Sequence, residues 1–122
     1  MGDYRKLEVW KLAVSVSDRV DALVRRLGHR DRTGLGDQLV RAAESIHLNI
    51  AEGCGLNSDS QLARHVRIAL GSANELEDGL AKLDRRQLLQ SEDEQLLVDA
   101  TLLRRKLGAL LRRVAGARGL RR

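Results

Sequence analysis

Residues 62–83 read LARHVRIALGSANELEDGLAKL. Within them Leu62, Val66, Ala69, Ala73, Leu76, Leu80 and Leu83 recur at alternating spacings of four and three. That repeat is the seam of a helix packed against other helices. Ser58 and Gln61 stand just upstream as a capping box for its first turn. A second seam runs Leu96, Ala100, Leu103, Leu107, Leu110 and Val114, behind a second box at Ser91 and Glu94. Seams this long need partners, and the chain supplies two more. Leu7, Trp10, Val14, Val20, Leu23, Val24 and Leu27 form one apolar face, with Trp10 read as core, and Leu35, Leu39, Ala42, Ala43, Ile46 and Ile50 form the other.

The expected helices span about 3–27, 33–53, 58–85 and 91–115. Gly28 is a candidate C-terminal cap of the first, and the GCGLN turn offers positive φ at the end of the second. Short connections place successive helices antiparallel. The expected fold is all-α, an up-down-up-down four-helix bundle over residues 1–115, followed by a basic tail at 116–122. Composition agrees: 122 residues suit one domain, proline is absent and aromatics make up 2%. Val9, Leu12, Val16, Leu97, Leu102 and Leu111 widen the apolar faces, and Val9, Leu12, Leu97 and Leu111 are the candidate intersubunit contacts. Gly71 and Gly79 sit inside the third helix, where each costs about 1 kcal/mol relative to Ala unless a neighbouring backbone must approach closely.

Chemistry is sparse. Glu44 and His47 form one E-x-x-H pair, but a di-iron bundle needs two such pairs and two further glutamates. Cys54 lacks a nameable base and orienting group for nucleophilic catalysis. No G-K-[ST] follows the GCGLNS loop, so it is no P-loop. No enzyme activity, cofactor, metal or small-molecule substrate is expected. Asn49 and Glu52, close to an apolar face, raise two alternatives: a ligand site or an inter-helix polar network with Arg41, Arg67 and Glu75. Buried charge must be paired, which favours the network as a device that fixes register.

Charge is unevenly placed. Arg104, Arg105, Lys106, Arg112, Arg113, Arg118, Arg121 and Arg122 follow one another without an acid, while residues 1–103 hold 14 cations against 17 acids. Such an end suits an anionic partner, RNA or DNA among them, and equally a solvated helix face. With Tyr4 and Trp10 the only large aromatics, stacking on single strands is not expected, so nucleic-acid contact would be phosphate-directed. No apolar run approaches membrane length, and the N-terminus lacks a secretory h-region, so a cytoplasmic location is expected.

The segments LEVWKLAVSV, GLGDQLVRAAESIHLNIAEGCG and RIALGSANELE carry a resemblance. Together they resemble the bacterial four-helix-bundle family encoded within intervening sequences of 23S rRNA genes. Relatives of that family serve as accessory proteins of diversity-generating retroelements. The resemblance implies a homopentamer ringed about a channel, and association with nucleic acid. It implies no enzymatic activity. The family usually reads Ser-Ile-Pro where this chain has Ser45-Ile46-His47, and Cys54 and Leu56 stand where an aromatic and a basic residue are common. Two function classes follow: an oligomeric nucleic-acid-binding scaffold, or a protein–protein adaptor.

Overall fold

The computed structural model describes the backbone of residues 3–120 and the side chains of residues 3–116. A 3-10 turn at Tyr4–Lys6 leads into α1, Glu8–Arg25. A single helical turn at His29–Asp31 and a π-helical turn at Arg32–Gly36 then run into α2, Asp37–Cys54. Helix α3 is Asp59–Arg85, and after a 3-10 turn at Ser91–Asp93 the chain ends in α4, Glu94–Leu120. Helix α4 passes beyond the boundary at 115; neither proline nor a left-handed residue stops it there. No strand occurs among the described residues.

Helix α3 packs on α2 and α4, and α1 closes the square against α2 and α4. Val16, Val20 and Leu23 meet Leu39, Ile46 and Ile50 in the interior, with Val66, Leu76, Leu80, Leu83, Leu103 and Leu107 from the two seams. Trp10 lies instead at the margin, half-buried and edge-on to Tyr4 with ring centroids 5.2 Å apart. Val9, Leu12, Leu97 and Leu111 are half-buried against the bundle's own core, so they are not the spare apolar surface expected of them. The exposed large aliphatics are Leu48, Ile68, Val98 and Leu102.

The turns depart from the sequence reading in three places. Gly28 is extended (φ −62°, ψ 160°), because α1 ends in 3-10 bonds from Arg26 and Leu27 N–H to Leu23 and Val24 O. Gly55 keeps φ −78°; positive φ occurs instead at Gln87, φ 58°. The second cap sits one residue early: Gln90 N–H donates to Asp93 Oδ2 at 2.8 Å. Ser58 does cap α3, accepting from Gln61 N–H at 3.0 Å.

Candidate nucleic-acid interface

Antiparallel order brings the start of α1, the end of α2, the start of α3 and the end of α4 to one end of the bundle. The polar turn and the basic run are therefore neighbours.

In the turn, Asn49 Nδ2 donates to Ser45 O at 2.8 Å and to Ser45 Oγ at 3.1 Å. Its Oδ1 faces His65 Nδ1 across the helix gap at 3.0 Å, and Ser72 Oγ donates to Ser45 Oγ at 2.8 Å. The connector between α2 and α3 is thus Ser45, Asn49, His65 and Ser72. Glu52 reaches it only distantly, 3.9 Å from His65 Nδ1, with 67% of its side chain exposed. Arg41, Arg67 and Glu75 are solvent-exposed and take no part in it. Their positions fall on the outer faces of α2 and α3, which spacing along one helix cannot distinguish from an inter-helix face. Gly53 belongs to this contact: a Cβ there would lie 2.9 Å from His65 Cβ and 3.1 Å from Leu62 Cδ1. That close approach, rather than left-handed backbone, is the use of the glycine. Burial pushes the Cys54 thiol above its ordinary range, so it is not poised as a thiolate. Glu44 is exposed, and no grouping of three His, Cys, Asp or Glu that could hold a metal occurs among the described residues.

Along α4 the cations divide. Arg104 Nε pairs with Glu77 Oε1 at 2.8 Å, while Thr101 Oγ1 donates to Glu77 Oε2 at 2.6 Å. Donation from Thr101, opposed by the cost of burial and reinforced by the Arg104 guanidinium, holds the Glu77 carboxyl below its ordinary range. Arg104 is therefore committed within the fold, a correction to its sequence reading as a free contact. Arg105, Lys106, Arg112 and Arg113 are exposed and make no ion pair among the described residues. The side chain of Arg118, and Arg121 and Arg122 altogether, lie outside the described residues.

Two grooves flank this half of α4. Between α3 and α4, Leu70 and Asn74 face Arg104, Arg105, Gly108 and Arg112 around a volume of about 340 Å³. On the other side, Leu7, Glu8 and Val9 face Lys106, Ala109, Leu110 and Arg113 around about 360 Å³. Arg67 lies one turn from Leu70 toward the basic end, on the exposed side of α3. It is a solvent-facing cation that sequence reading had assigned to the polar turn. The signal that could have found it was helical phase, since Arg67 stands apart from the Val66/Ala69/Ala73 seam.

The described residues define the class: an all-α helical bundle, with exposed cations along one half of α4. The family model for the 23S rRNA-intervening sequence protein matches residues 5–109, and the chain belongs to that family. It is similar to the crystal structure of a protein of unknown function from the S23 ribosomal protein family of Bacteroides thetaiotaomicron. That likeness has a TM-score of 0.77 at 25% identity, covering 85% of this chain and 95% of the other. No curated relative matches the chain. No helix among the described residues is long and apolar enough to cross a membrane.

Proposed function

We propose that this protein is a non-enzymatic, self-associating scaffold that binds nucleic acid through phosphate contacts at the basic end of its bundle. The carrying observation is the run of exposed cations on α4 with no acid among them, set beside arginines that the fold pairs. Arg19, Arg26, Arg86 and Arg104 each meet a carboxylate, Asp99, Asp93, Asp31 and Glu77, at 2.6–2.8 Å. Arg105, Lys106, Arg112 and Arg113 project from the middle and C-terminal part of α4 with no such partner among the described residues. Structural pairing does not account for them, and a run of cations without acids is the electrostatic footprint of a polyanion contact. The family's description, tied to an intervening sequence of 23S rRNA, supports RNA as the first polyanion to try.

Self-association has its own support. Ser45 opposite Ser72 and Asn49 opposite His65 set the register of α2 on α3, and that register brings Leu48 level with Ile68. Val98 and Leu102 lie on α4, away from that wall. Two apolar patches on different walls suit a heterologous contact, the kind that closes into a ring and would repeat the basic end around it.

Fluorescence anisotropy with labelled 12-residue RNA and DNA, titrated in salt, tests the binding. Affinity should fall linearly in log–log form, by about 0.7 per phosphate neutralised on a single strand. Replacing Arg105, Lys106, Arg112 and Arg113 with Gln should weaken unrelated sequences alike and flatten the slope. Absence of binding at low salt would instead favour the protein–protein adaptor.

A further inference from the structure

We infer that the groove between α3 and α4 seats one backbone phosphate of the nucleic acid, between Arg105 and Arg112. This rests on the nucleic-acid reading above and assigns the contact to one place on the surface.

Gly108 carries the argument. It lies in the interior of α4, where glycine is poorly suited to a helix. The fold does not require it: its φ is not positive, and an added Cβ would meet only Arg112 Nη1, at 3.5 Å, an ordinary contact. What its missing side chain does is keep the groove wall open between Arg104, Arg105 and Arg112. Arg105 and Arg112 are seven residues apart, two turns, and so lie on one stripe of α4 beside this opening. Asn74 brings an amide to the facing wall.

Glu77 decides which of the groove's cations are already used. Its two oxygens are taken by Arg104 and Thr101, so Arg104, which lines the groove, has its counter-charge within the fold. A phosphate in the groove is drawn instead to Arg105 and Arg112, the two guanidiniums there with no ion pair among the described residues, whose planar forks match its oxygens. The groove is open to solvent, so a chain can lie across it.

Three full-length variants test this with fluorescein-labelled 12-residue oligouridylate. Gly108→Leu fills the groove without changing charge and should weaken binding about tenfold, the equivalent of one charge-assisted contact. Gly108→Ala should stay within about twofold, because a methyl group fits the wall. Glu77→Gln frees Arg104 and should steepen the salt slope by about 0.7, one further phosphate. No binding by the wild type at low salt would remove the nucleic-acid reading itself. Wild-type binding that Gly108→Leu leaves unchanged, with helicity intact, would overturn the groove assignment and leave the broader reading standing. Should Gly108→Leu fail to fold, Asn74→Leu plugs the groove from the opposite wall and answers the same question. Polyglutamate of equal charge competing as well as the oligonucleotide would overturn the phosphate assignment in favour of an acidic protein partner.

Discussion

Asn49 Oδ1 on α2 lies 3.0 Å from Nδ1 of His65 on α3, and His65 is only 7% exposed. Because the Asn49 amide nitrogen is already committed to Ser45, its oxygen must face the imidazole. That network assigns the proton to Nδ1. A helix pair rich in aliphatic side chains acquires here one polar contact that is satisfied in a single register.

Asn49→Ala is expected to cost about 1–3 kcal/mol, since it leaves a buried donor without its acceptor. Glu52→Ala should change stability by no more than about 0.5 kcal/mol, as an exposed side chain 3.9 Å from its neighbour can be lost cheaply. Urea denaturation of the two variants checks the ranking. Equal losses would return Glu52 to the centre of the network.

Gly71 and Gly79 look alike in sequence and differ in structure. A Cβ at Gly79 would strike Leu39 Cδ2, inside the core, whereas at Gly71 it would meet nothing within 4 Å. Gly79→Ala should therefore destabilise by about 1–3 kcal/mol through overpacking. Gly71→Ala should stabilise by up to about 1 kcal/mol through helix propensity. Thermal melts showing the same sign for both would contradict the packing described.

Helix α3 ends in a Schellman turn: Leu88 N–H bonds Leu83 O at 3.0 Å and Gln87 N–H bonds Asp84 O at 2.9 Å. The left-handed position is held by Gln87, whose Cβ disfavours φ 58°. Gln87→Gly should raise stability by about 0.5–1 kcal/mol, the relief of that strain less the added freedom of the unfolded chain. A lower melting temperature in this variant would mean that the Gln87 side chain makes a contact worth more than the strain.

How far the fold could be read from sequence depends on whether the signal was local. The Leu62–Leu83 seam repeats its message over several turns, so the helix and its buried face were legible. The cap at Gln90 and Asp93 was displaced by one residue, because Ser91/Glu94 fits the same pattern and only backbone geometry separates them. The α2–α3 connector was half legible: Asn49 drew notice, but Ser45, Ser72 and His65 join it only once the inter-helix register is known. The basic end was visible as a run of letters. That Arg104 is spent on Glu77, while Arg67 faces solvent, follows from which side of each helix meets its neighbour.

The Glu77 contact makes a pH prediction. Its carboxyl titrates below the ordinary value of 4.5, so its folded form binds protons less readily than the unfolded chain. The stabilisation is then fully present above about pH 4.5 and is lost as pH falls through the lower folded value. With both partners a third exposed, the pair is worth about 0.5–1 kcal/mol. Glu77→Gln should lose that amount at pH 7 and approach the wild type once pH falls below the folded value of the Glu77 carboxyl. A difference that grows on acidification would show the sign to be wrong.

The proposed assembly rests on Leu48, Ile68, Val98 and Leu102. Their side chains are 42–59% exposed, unusual for large aliphatics gathered in pairs on a bundle with many charged positions free to cover it. In a heterologous ring, the Leu48/Ile68 wall of one copy meets the Val98/Leu102 surface of the next, so blocking either patch should stop growth. Leu48→Glu and Val98→Glu should each lower the mass measured by light scattering toward that of the monomer while circular dichroism stays helical, because neither side chain belongs to the core. An equimolar mixture of the two variants retains one intact patch of each kind and should recover pairs but no larger ring. If instead the two faces each met their own kind, the mixture would hold homodimers built on the untouched patch of each variant. A wild type of monomer mass at micromolar concentration would remove the ring altogether and leave the basic groove to act one copy at a time.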